Sequence, residues 1–216
     1  YFELRSPTPH RAALAVNRMP GAQWFPGAQV NYARQVLRHT EPAAHAGVPA
    51  IVARNERGQH RELTWPDLRR QVASLALHLQ ALGVQRGDRV VAYLPNTPQA
   101  VIAFLAWASL GAIWSLCSPE MGPVAVLDRF RQIEPKLLVA CDGYRYAGKR
   151  IDIRDKVAEV RASLPGLVRT VMVPRFSVPL TTSPIACAAL TTMLSTAWLI
   201  SPTLHITLGI SPSSVT

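Results

Sequence analysis

The sequence predicts an α/β fold: a partial, doubly wound parallel sheet with flanking helices. Three observations lead to this prediction. Strand-like and helix-like segments alternate along the first 175 residues, in units of about 25 to 30 residues that suit right-handed crossovers. The strand-like runs, such as Arg89–Leu94, are apolar at most positions, as in strands buried on both faces. Capping and turn residues separate the runs.

The first elements along the chain are a short helix and a hairpin. Asn31–Leu37 follows the turn at Pro26-Gly27 and predicts the helix. Ala50–Arg54 and His60–Leu63 flank the turn-prone segment Asn55–Gly58 and predict the hairpin.

A longer amphipathic helix follows this hairpin. Thr64 is placed to cap it, Asp67 lies three residues later as in a capping box, and Pro66 stands in the first turn. Gly83 is the expected stop. The apolar positions between them recur at helical spacing: Leu68, Val72, Leu75, Leu79 and Leu82.

The rest of the domain alternates between strands and helices. Ala100–Cys117 contains no charge and has the length of a membrane span, but Gly111 interrupts it, so we interpret it as a buried helix followed by a buried strand. In chain order we predict a strand at Arg89–Leu94, a helix capped by Asn96 and ending at Leu110, a strand at Ala112–Leu116, a helix at Pro123–Ile133, a strand at Leu137–Cys141, a helix at Ile151–Leu164 and a strand at Leu167–Val173.

The distribution of charge divides the chain into two parts. All 23 basic and 13 acidic residues precede residue 176, and Phe176–Thr216 carries none, whereas soluble domains have about a quarter charged residues. We predict a partial domain over residues 1–175 and a non-globular, uncharged Ser/Thr/Pro-rich tail over 176–216. A non-native reading frame is our preferred explanation of the tail. Disorder and a membrane segment at Ile185–Ser201 are the alternatives.

Composition argues against several classes of protein. The net charge of +10 comes mainly from Arg spread along the chain, with no basic run or recognition helix of the kind that binds nucleic acid. Cys117, Cys141 and Cys187 lack metal or redox spacing, so we expect reduced, mostly buried thiols. The first residues carry no charged segment followed by an apolar run, so we expect no secretory signal, and the start at Tyr1 leads us to expect further residues before it. We therefore predict a cytoplasmic protein without membrane attachment.

One segment has the spacing of a phosphate-binding loop. Gly143–Arg150 fits the pattern G-x-x-x-x-G-K after an apolar strand. Arg150 stands where a Mg²⁺-ligating hydroxyl is needed, so nucleoside triphosphatase activity is not predicted. The segment concentrates Arg145, Lys149 and Arg150 near a strand end, which leaves two interpretations, a phosphate-binding site or a solvated basic loop. The six histidines show no metal spacing, and we assign no metal ligand.

Several segments carry a resemblance to a known family: Arg5–Pro9, Met19–Ala33, Asp88–Pro98, Ile113–Gly122 and Cys141–Lys149. They resemble acetoacetate–CoA ligases, which are acyl-CoA synthetases of the adenylate-forming superfamily. Trp24–Gly27 is shared with acetyl-CoA synthetases more widely, and Cys117–Gly122 favours the acetoacetate enzymes. The resemblance extends to about residue 174.

The resemblance implies an incomplete N-terminal domain of an adenylate-forming enzyme. Its reaction would make acetoacetyl-CoA from acetoacetate, ATP and CoA through an acyl-adenylate, with Mg²⁺. That superfamily holds the triphosphate with a Ser/Thr/Gly-rich loop ending in Pro-Lys, and a Lys of a C-terminal domain promotes adenylation. No residue here matches either, so we carry over no catalytic residue and expect the 216-residue chain to be inactive alone.

The resemblance also implies a role for two residues of the basic segment. Arg145 and Lys149 loosely match a basic pair that approaches CoA phosphates in acetyl-CoA synthetases, and we expect them to contact CoA phosphates. Two alternatives remain open. One is a non-catalytic CoA- or nucleotide-binding module, and the other is an acetyl-CoA-synthetase-like ligase.

Overall fold

The computed structural model describes residues 5–176 and the backbone of 206–208. The strands are β1 (Leu14–Val16), β2 (Gln23–Trp24), β3 (Ile51–Arg54), β4 (His60–Leu63), β5 (Arg89–Tyr93), β6 (Ile113–Cys117), β7 (Leu137–Cys141), β8 (Gly143–Tyr146), β9 (Lys149–Asp152), β10 (Arg169–Val173) and β11 (Ile206–Leu208). The helices are α1 (Tyr32–Leu37), α2 (Thr40–His45), α3 (Trp65–Ala81), α4 (Pro98–Ser109), α5 (Pro123–Ile133) and α6 (Arg154–Ala162).

A four-stranded parallel sheet forms the centre of the molecule. Its strand order is β10-β7-β5-β6, and every neighbouring pair is parallel. Helix α3 packs on α4 and α5 packs on α6; right-handed crossovers place α4 on one face of the sheet and α5 and α6 on the other. The predicted α/β fold with a parallel sheet and flanking helices is therefore confirmed.

Strand β6 lies at one edge of this sheet. Ile113 is 53% exposed and Leu116 is 45% exposed. The two strands at the centre, β5 and β7, are by contrast buried at almost every position. Within the described residues, β6 therefore presents both an open backbone edge and apolar side chains.

The long helix α3 forms where the sequence predicts it. The Thr64 hydroxyl accepts the backbone N–H of Asp67 at 3.2 Å and donates to the Asp67 carboxylate at 2.9 Å, which satisfies one of the free amides of the first turn. Leu68, Val72 and Leu79 are buried on its inner face. The predicted cap and apolar stripe thus act together to place this helix.

Helix α4 confirms that the uncharged stretch begins with a buried helix, whereas the strand after it, β6, is not buried as predicted, because it lies at the edge of the sheet. Ile102, Leu105 and Trp107 are almost inaccessible to solvent. The N-cap is Thr97 rather than the predicted Asn96, because the helix begins one residue later, at Pro98. No helix in the described part of the chain is long and apolar enough to cross a membrane.

An ion pair ties the starts of two central strands together. The buried Asp88 carboxylate accepts the backbone N–H of Gln85 at 2.9 Å and contacts Lys136 Nζ at 2.5 Å. The hydrogen bond from Lys136, together with that from Gln85, lowers the pKa of Asp88. The amino ends of β5 and β7 are thereby fixed side by side.

Two predictions need correction in the segment after β7. Residues Gly143–Asp152 form an antiparallel hairpin, β8–β9, rather than a loop leading into a helix. The next helix consequently starts at Arg154 instead of Ile151. A two-residue turn at Ala147 and Gly148, both with positive φ, closes the hairpin in the manner of a type I′ turn.

Most of the predicted tail lies outside the described residues, including the candidate membrane segment Ile185–Ser201 and Cys187. Phe176 is described and is buried. The backbone of Ile206–Leu208 pairs antiparallel with β3.

Candidate functional site

The order of the parallel strands reverses between β5 and β7. From β5 the chain passes through α4 to β6 on one side, and then crosses back through α5 to β7 on the other side. Ligands of doubly wound sheets bind in the crevice outside the carboxyl ends of the strands at such a switch point. We therefore take the carboxyl edge of the sheet, where Leu94–Thr97 and Asp142 follow β5 and β7, as the candidate site.

Tyr93 anchors the loop after β6 over this edge. Its hydroxyl lies 3.2 Å from the carbonyl oxygen of Pro119 and 2.5 Å from that of Met121. Burial is the main reason that the pKa of Tyr93 rises to about 12. The phenol consequently keeps its proton at neutral pH and donates it to these carbonyls, which holds the 118–122 loop beside the crevice.

Asp142 joins the carboxyl ends of β7 and β10. Its side chain is buried, and its carboxylate accepts the backbone N–H groups of Arg175 at 2.6 Å and Phe176 at 3.2 Å. A carboxylate that accepts backbone N–H groups forms strong, charge-assisted hydrogen bonds. Asp142 thus fixes the path of the chain immediately after β10.

Arg175 brings a buried cation to the same place. The residue is 7% exposed, and burial lowers its pKa, while the neighbouring Cys141 and Asp142 act in the opposite direction. Guanidinium groups remain charged in proteins. The interior of the carboxyl edge therefore holds a buried guanidinium as well as the Asp142 carboxylate, two groups of opposite charge.

The hairpin itself carries the two residues predicted to contact CoA phosphates. Its register pairs Tyr144 with Ile151, Arg145 with Arg150, and Tyr146 with Lys149. Residues directly opposite each other share a face of a hairpin, and successive residues alternate between faces. The structure therefore places Arg145 and Lys149 on one short hairpin but on opposite faces of it.

Four residues of this edge were not identified as site residues from the sequence: Asp142, Gly143, Arg150 and Phe176. Arg150 was named as one of three basic residues of a possible phosphate-binding segment but was given no CoA contact, and Phe176 was assigned to the tail. Part of the signal for the hairpin was available, because Tyr144 and Tyr146 favour a strand before the turn-forming Ala147-Gly148 and Ile151 favours one after it. The phosphate-loop spacing masked that signal.

Two cysteines end strands at the same edge and are chemically protected. Cys117 and Cys141 are free and buried, as predicted for these two. Burial raises the pKa of both thiols, that of Cys141 to about 12. Since the thiolate is the reactive form, neither is suited to nucleophilic chemistry at neutral pH.

Other features of the described residues lie away from this edge. A groove of about 660 Å³ at the amino edge of the sheet is bordered by Arg5, Arg34 and Arg86. Within residues 5–176 no group of His, Cys, Asp and Glu side chains is arranged to hold a metal ion.

Comparison with known proteins places this chain among adenylate-forming enzymes. Residues 39–190 match the profile of a family described as "AMP-binding enzyme". The chain belongs to the AMP-binding enzyme family. The match runs past residue 175, so the domain boundary placed there stays a prediction.

Acetoacetyl-CoA synthetases are similar in sequence over most of this chain. The acetoacetyl-coenzyme A synthetase of Rhizobium meliloti is 45% identical over 164 residues, which is 76% of this chain and 24% of that protein. The acetoacetyl-CoA synthetase of Rattus norvegicus is 45% identical over 152 residues, or 70% of this chain and 22% of that protein. The chain spans about a quarter of the length of the curated relatives it matches.

A solved structure gives the same result. The acetoacetyl-CoA synthetase from Streptomyces lividans superimposes with a TM-score of 0.79 and 45% sequence identity, covering 96% of this chain and 31% of that one. The resemblance to acetoacetate–CoA ligases noted in the five sequence segments is therefore confirmed.

Proposed function

We propose that this chain forms part of an ATP-dependent acid–thiol ligase that makes acetoacetyl-CoA from acetoacetate, ATP and CoA. The observation that carries the proposal is the 45% identity to an acetoacetyl-CoA synthetase of the same fold. In the proposed reaction the acetoacetate carboxylate attacks the α-phosphate of ATP, which gives an acyl-adenylate and releases pyrophosphate. The CoA thiolate then displaces AMP and forms the thioester.

The part of this reaction that we assign to the described residues is the binding of CoA phosphates. Arg145 and Lys149 lie on the hairpin that leaves the carboxyl edge of the sheet. Both side chains suit phosphate recognition, since Arg offers paired N–H donors and Lys a compact charge.

Formation of the acyl-adenylate requires groups that we do not find in this sequence. No Ser/Thr/Gly-rich loop ending in Pro-Lys is present; Thr181-Thr-Ser-Pro184 contains neither Gly nor Lys. Mg²⁺ prefers oxygen ligands, and Arg150 offers none, so we assign no magnesium ligand and derive no step through the metal. We therefore propose that the 216-residue chain alone does not form the adenylate.

Isothermal titration of the 216-residue chain with CoA tests the binding role. We expect binding that the Arg145→Ala/Lys149→Ala double variant removes while its circular dichroism spectrum stays unchanged. No binding by the wild type, or equal binding by the double variant, would refute the assignment.

ATP–pyrophosphate exchange tests the catalytic part of the proposal. We expect no exchange with acetoacetate. Measurable exchange with acetoacetate would overturn the proposed inactivity of the chain. Exchange with acetate alone would favour the alternative of an acetyl-CoA-synthetase-like ligase, whereas CoA binding without any exchange is also compatible with a non-catalytic binding module.

We also propose the division into a partial domain at residues 1–175 and an uncharged tail at 176–216, in a cytoplasmic protein. The change in charge at this boundary supports it. Limited proteolysis should cut first after residue 176, because Phe176 is buried and tied to Asp142. Primary cleavage within 5–175 would contradict the boundary.

A further inference from the structure

Three arginines border the groove at the amino edge of the parallel sheet, which we call the amino-edge groove. Arg5 comes from the segment before β1, Arg34 from α1 and Arg86 from the turn before β5. All three are exposed, and none of the ion pairs between described residues includes any of them. Among the described residues that line the groove, none is Asp or Glu. The groove therefore carries three positive charges that no carboxylate of this lining balances.

The end of helix α4 offsets only part of this charge. Ala108–Ala112 lines the groove, and the carboxyl end of a helix carries about half a negative charge. Helix α4 has no basic residue in its own last turn, so the arginines are the cations that face this end. Half a negative charge does not balance three positive ones, and a net positive charge remains for a bound anion.

Short contacts fix the walls from which the arginines extend. The Ser6 hydroxyl accepts the backbone N–H of Gln29 at 3.0 Å, which ties the segment that carries Arg5 to the opposite wall. A Cβ placed on Gly111 would lie 3.0 Å from Arg86 Cγ, so the stem of Arg86 packs directly over this glycine. The groove is therefore a built surface and not a gap between loose segments.

Apolar side chains share the groove with the charges. Val30 is 49% exposed and Tyr32 is 53% exposed, and both line the groove. The Tyr32 ring packs against Phe104 with 5.4 Å between the ring centres, which holds an aromatic surface in place. Arg and Tyr are enriched at the hot spots of protein interfaces, whereas Lys, Asp and Glu are depleted there. The composition of the lining is thus typical of a surface that contacts another protein.

The sequence of this chain offers no occupant of opposite charge. Phe176–Thr216 contains no charged residue, and a second copy would bring a further net charge of +10, which opposes association. Proteins that bind single-stranded nucleic acid combine a basic groove with several stacking aromatics, whereas Tyr32 is the one aromatic residue among the described residues of this lining. The volume of about 660 Å³ falls within the range of about 300–1,000 Å³ of ligand pockets and suits a short stretch of peptide.

We propose that the amino-edge groove binds an acidic segment of a partner protein. Arg5, Arg34 and Arg86 contact its carboxylates, which guanidinium groups bind through paired N–H donors. Val30 and Tyr32 contact its apolar side chains. The groove lies at the opposite edge of the sheet from the β8–β9 hairpin, so this interaction goes beyond the proposed CoA binding and leaves the carboxyl edge free.

Fluorescence anisotropy of a labelled, blocked peptide with glutamates on both sides of a leucine tests the proposal on the 216-residue chain. The matched control peptide carries glutamine in place of each glutamate. We expect binding of the acidic peptide that weakens as the salt is raised from about 0.05 M to about 0.5 M, and no measurable binding of the control. Equal binding of the two peptides would overturn the proposal.

Variants of the groove locate the binding. Arg34→Gln and Arg86→Gln should each weaken binding about two- to fivefold, as expected for exposed ion pairs, and the triple variant with Arg5→Gln by at least about tenfold. Tyr32→Phe should retain affinity that Tyr32→Ala reduces. Arg161→Gln is the matched control, because Arg161 is exposed on α6 and outside the groove. Thermal unfolding of each variant checks the fold. A triple variant that binds as tightly as Arg161→Gln would overturn the proposal.

Three further outcomes would assign the groove to a different occupant and overturn the proposal. Tripolyphosphate that binds more tightly than the acidic peptide, and is lost in the triple variant, would indicate a small-anion site. A single-stranded oligonucleotide that does the same would indicate a nucleic-acid site. A dimer in sedimentation velocity that the triple variant abolishes would indicate a second copy of this chain.

Discussion

Replacing Gly143 with Ala is expected to destabilise the carboxyl edge of the sheet. The added Cβ would lie 2.0 Å from Phe176 Cε2 and 2.5 Å from the carbonyl oxygen of Ile151. Because ordinary contacts of a Cβ atom begin near 3.4 Å, the ring would have to retreat by about 1.4 Å inside a close-packed interior. The Ile151 oxygen belongs to the paired backbone of β9 and cannot move separately.

The magnitude follows from these two obstacles. Inserting a methyl group into a packed interior costs about 1–3 kcal/mol. A clash with backbone as well as a ring places this site in the upper half of that range, at about 2–3 kcal/mol, or about 30- to 150-fold in the unfolding equilibrium. The retreat of the ring would also disturb its contact with the Arg150 guanidinium.

Urea unfolding followed by circular dichroism measures the loss of stability. Gly166→Ala is the matched control, because its nearest neighbour to a new Cβ is an oxygen at an ordinary 3.7 Å. That variant should be neutral or gain up to about 1 kcal/mol. A Gly143→Ala protein as stable as Gly166→Ala would refute the packing argument for the carboxyl edge.

Four further predictions concern the helix cap, the two buried carboxylates and the edge strand. Thr64→Ala should lose about 1 kcal/mol of stability in urea unfolding and Thr64→Ser much less; equal losses would contradict the capping role. Asp88→Asn should cost about 1–3 kcal/mol at pH 7. Because the folded pKa of Asp88 is lowered, the native stabilisation is present above the unfolded pKa of about 3.9 and disappears as the pH falls through the lower folded pKa. The difference between the two proteins should therefore shrink at acidic pH, and a difference independent of pH would count against the ion pair. Asp142→Asn weakens the hydrogen bonds to the chain after β10 and should lower the free energy of unfolding in urea by about 1–3 kcal/mol. It should also lower CoA affinity. Unchanged CoA affinity would show that this carboxylate does not support the hairpin. Leu116→Lys on the exposed β6 edge should slow aggregation measured by light scattering, and an unchanged rate would locate the aggregating surface elsewhere.

The regular helices and strands could be predicted because their capping residues and apolar patterns agree with the burial that the fold gives them. The helix Pro123–Ile133 and the strand Leu137–Cys141 have the predicted bounds. The proline in the first turn marks the start of the helix, and the fully apolar run is typical of a strand buried on both faces of a parallel sheet. The start of α4 was misplaced by one residue because Asn96 and Thr97 are both capable of capping a helix.

The carboxyl edge could be predicted only in part. A parallel sheet places strand ends together, and this drew attention to the segment after Cys141, as did its phosphate-loop spacing and the family resemblance. Which side chains share a face depends on the hairpin register, which was hidden by spacing that matches a phosphate loop. Pairing of Arg145 with Arg150 therefore emerged only from the structure.

The contribution of Phe176 was beyond sequence reasoning for another reason. Its contacts with Gly143, Asp142 and Arg150 join residues far apart in the chain. No local pattern encodes such contacts, and the uncharged sequence that follows Phe176 directed attention away from it.

The most direct measurement is a crystal structure of the 216-residue chain grown with CoA. We predict a CoA phosphate at the β8–β9 hairpin, with its oxygens about 3 Å from the side-chain nitrogens of Arg145 or Lys149. A CoA phosphate bound instead in the amino-edge groove beside Arg5, Arg34 and Arg86 would contradict it.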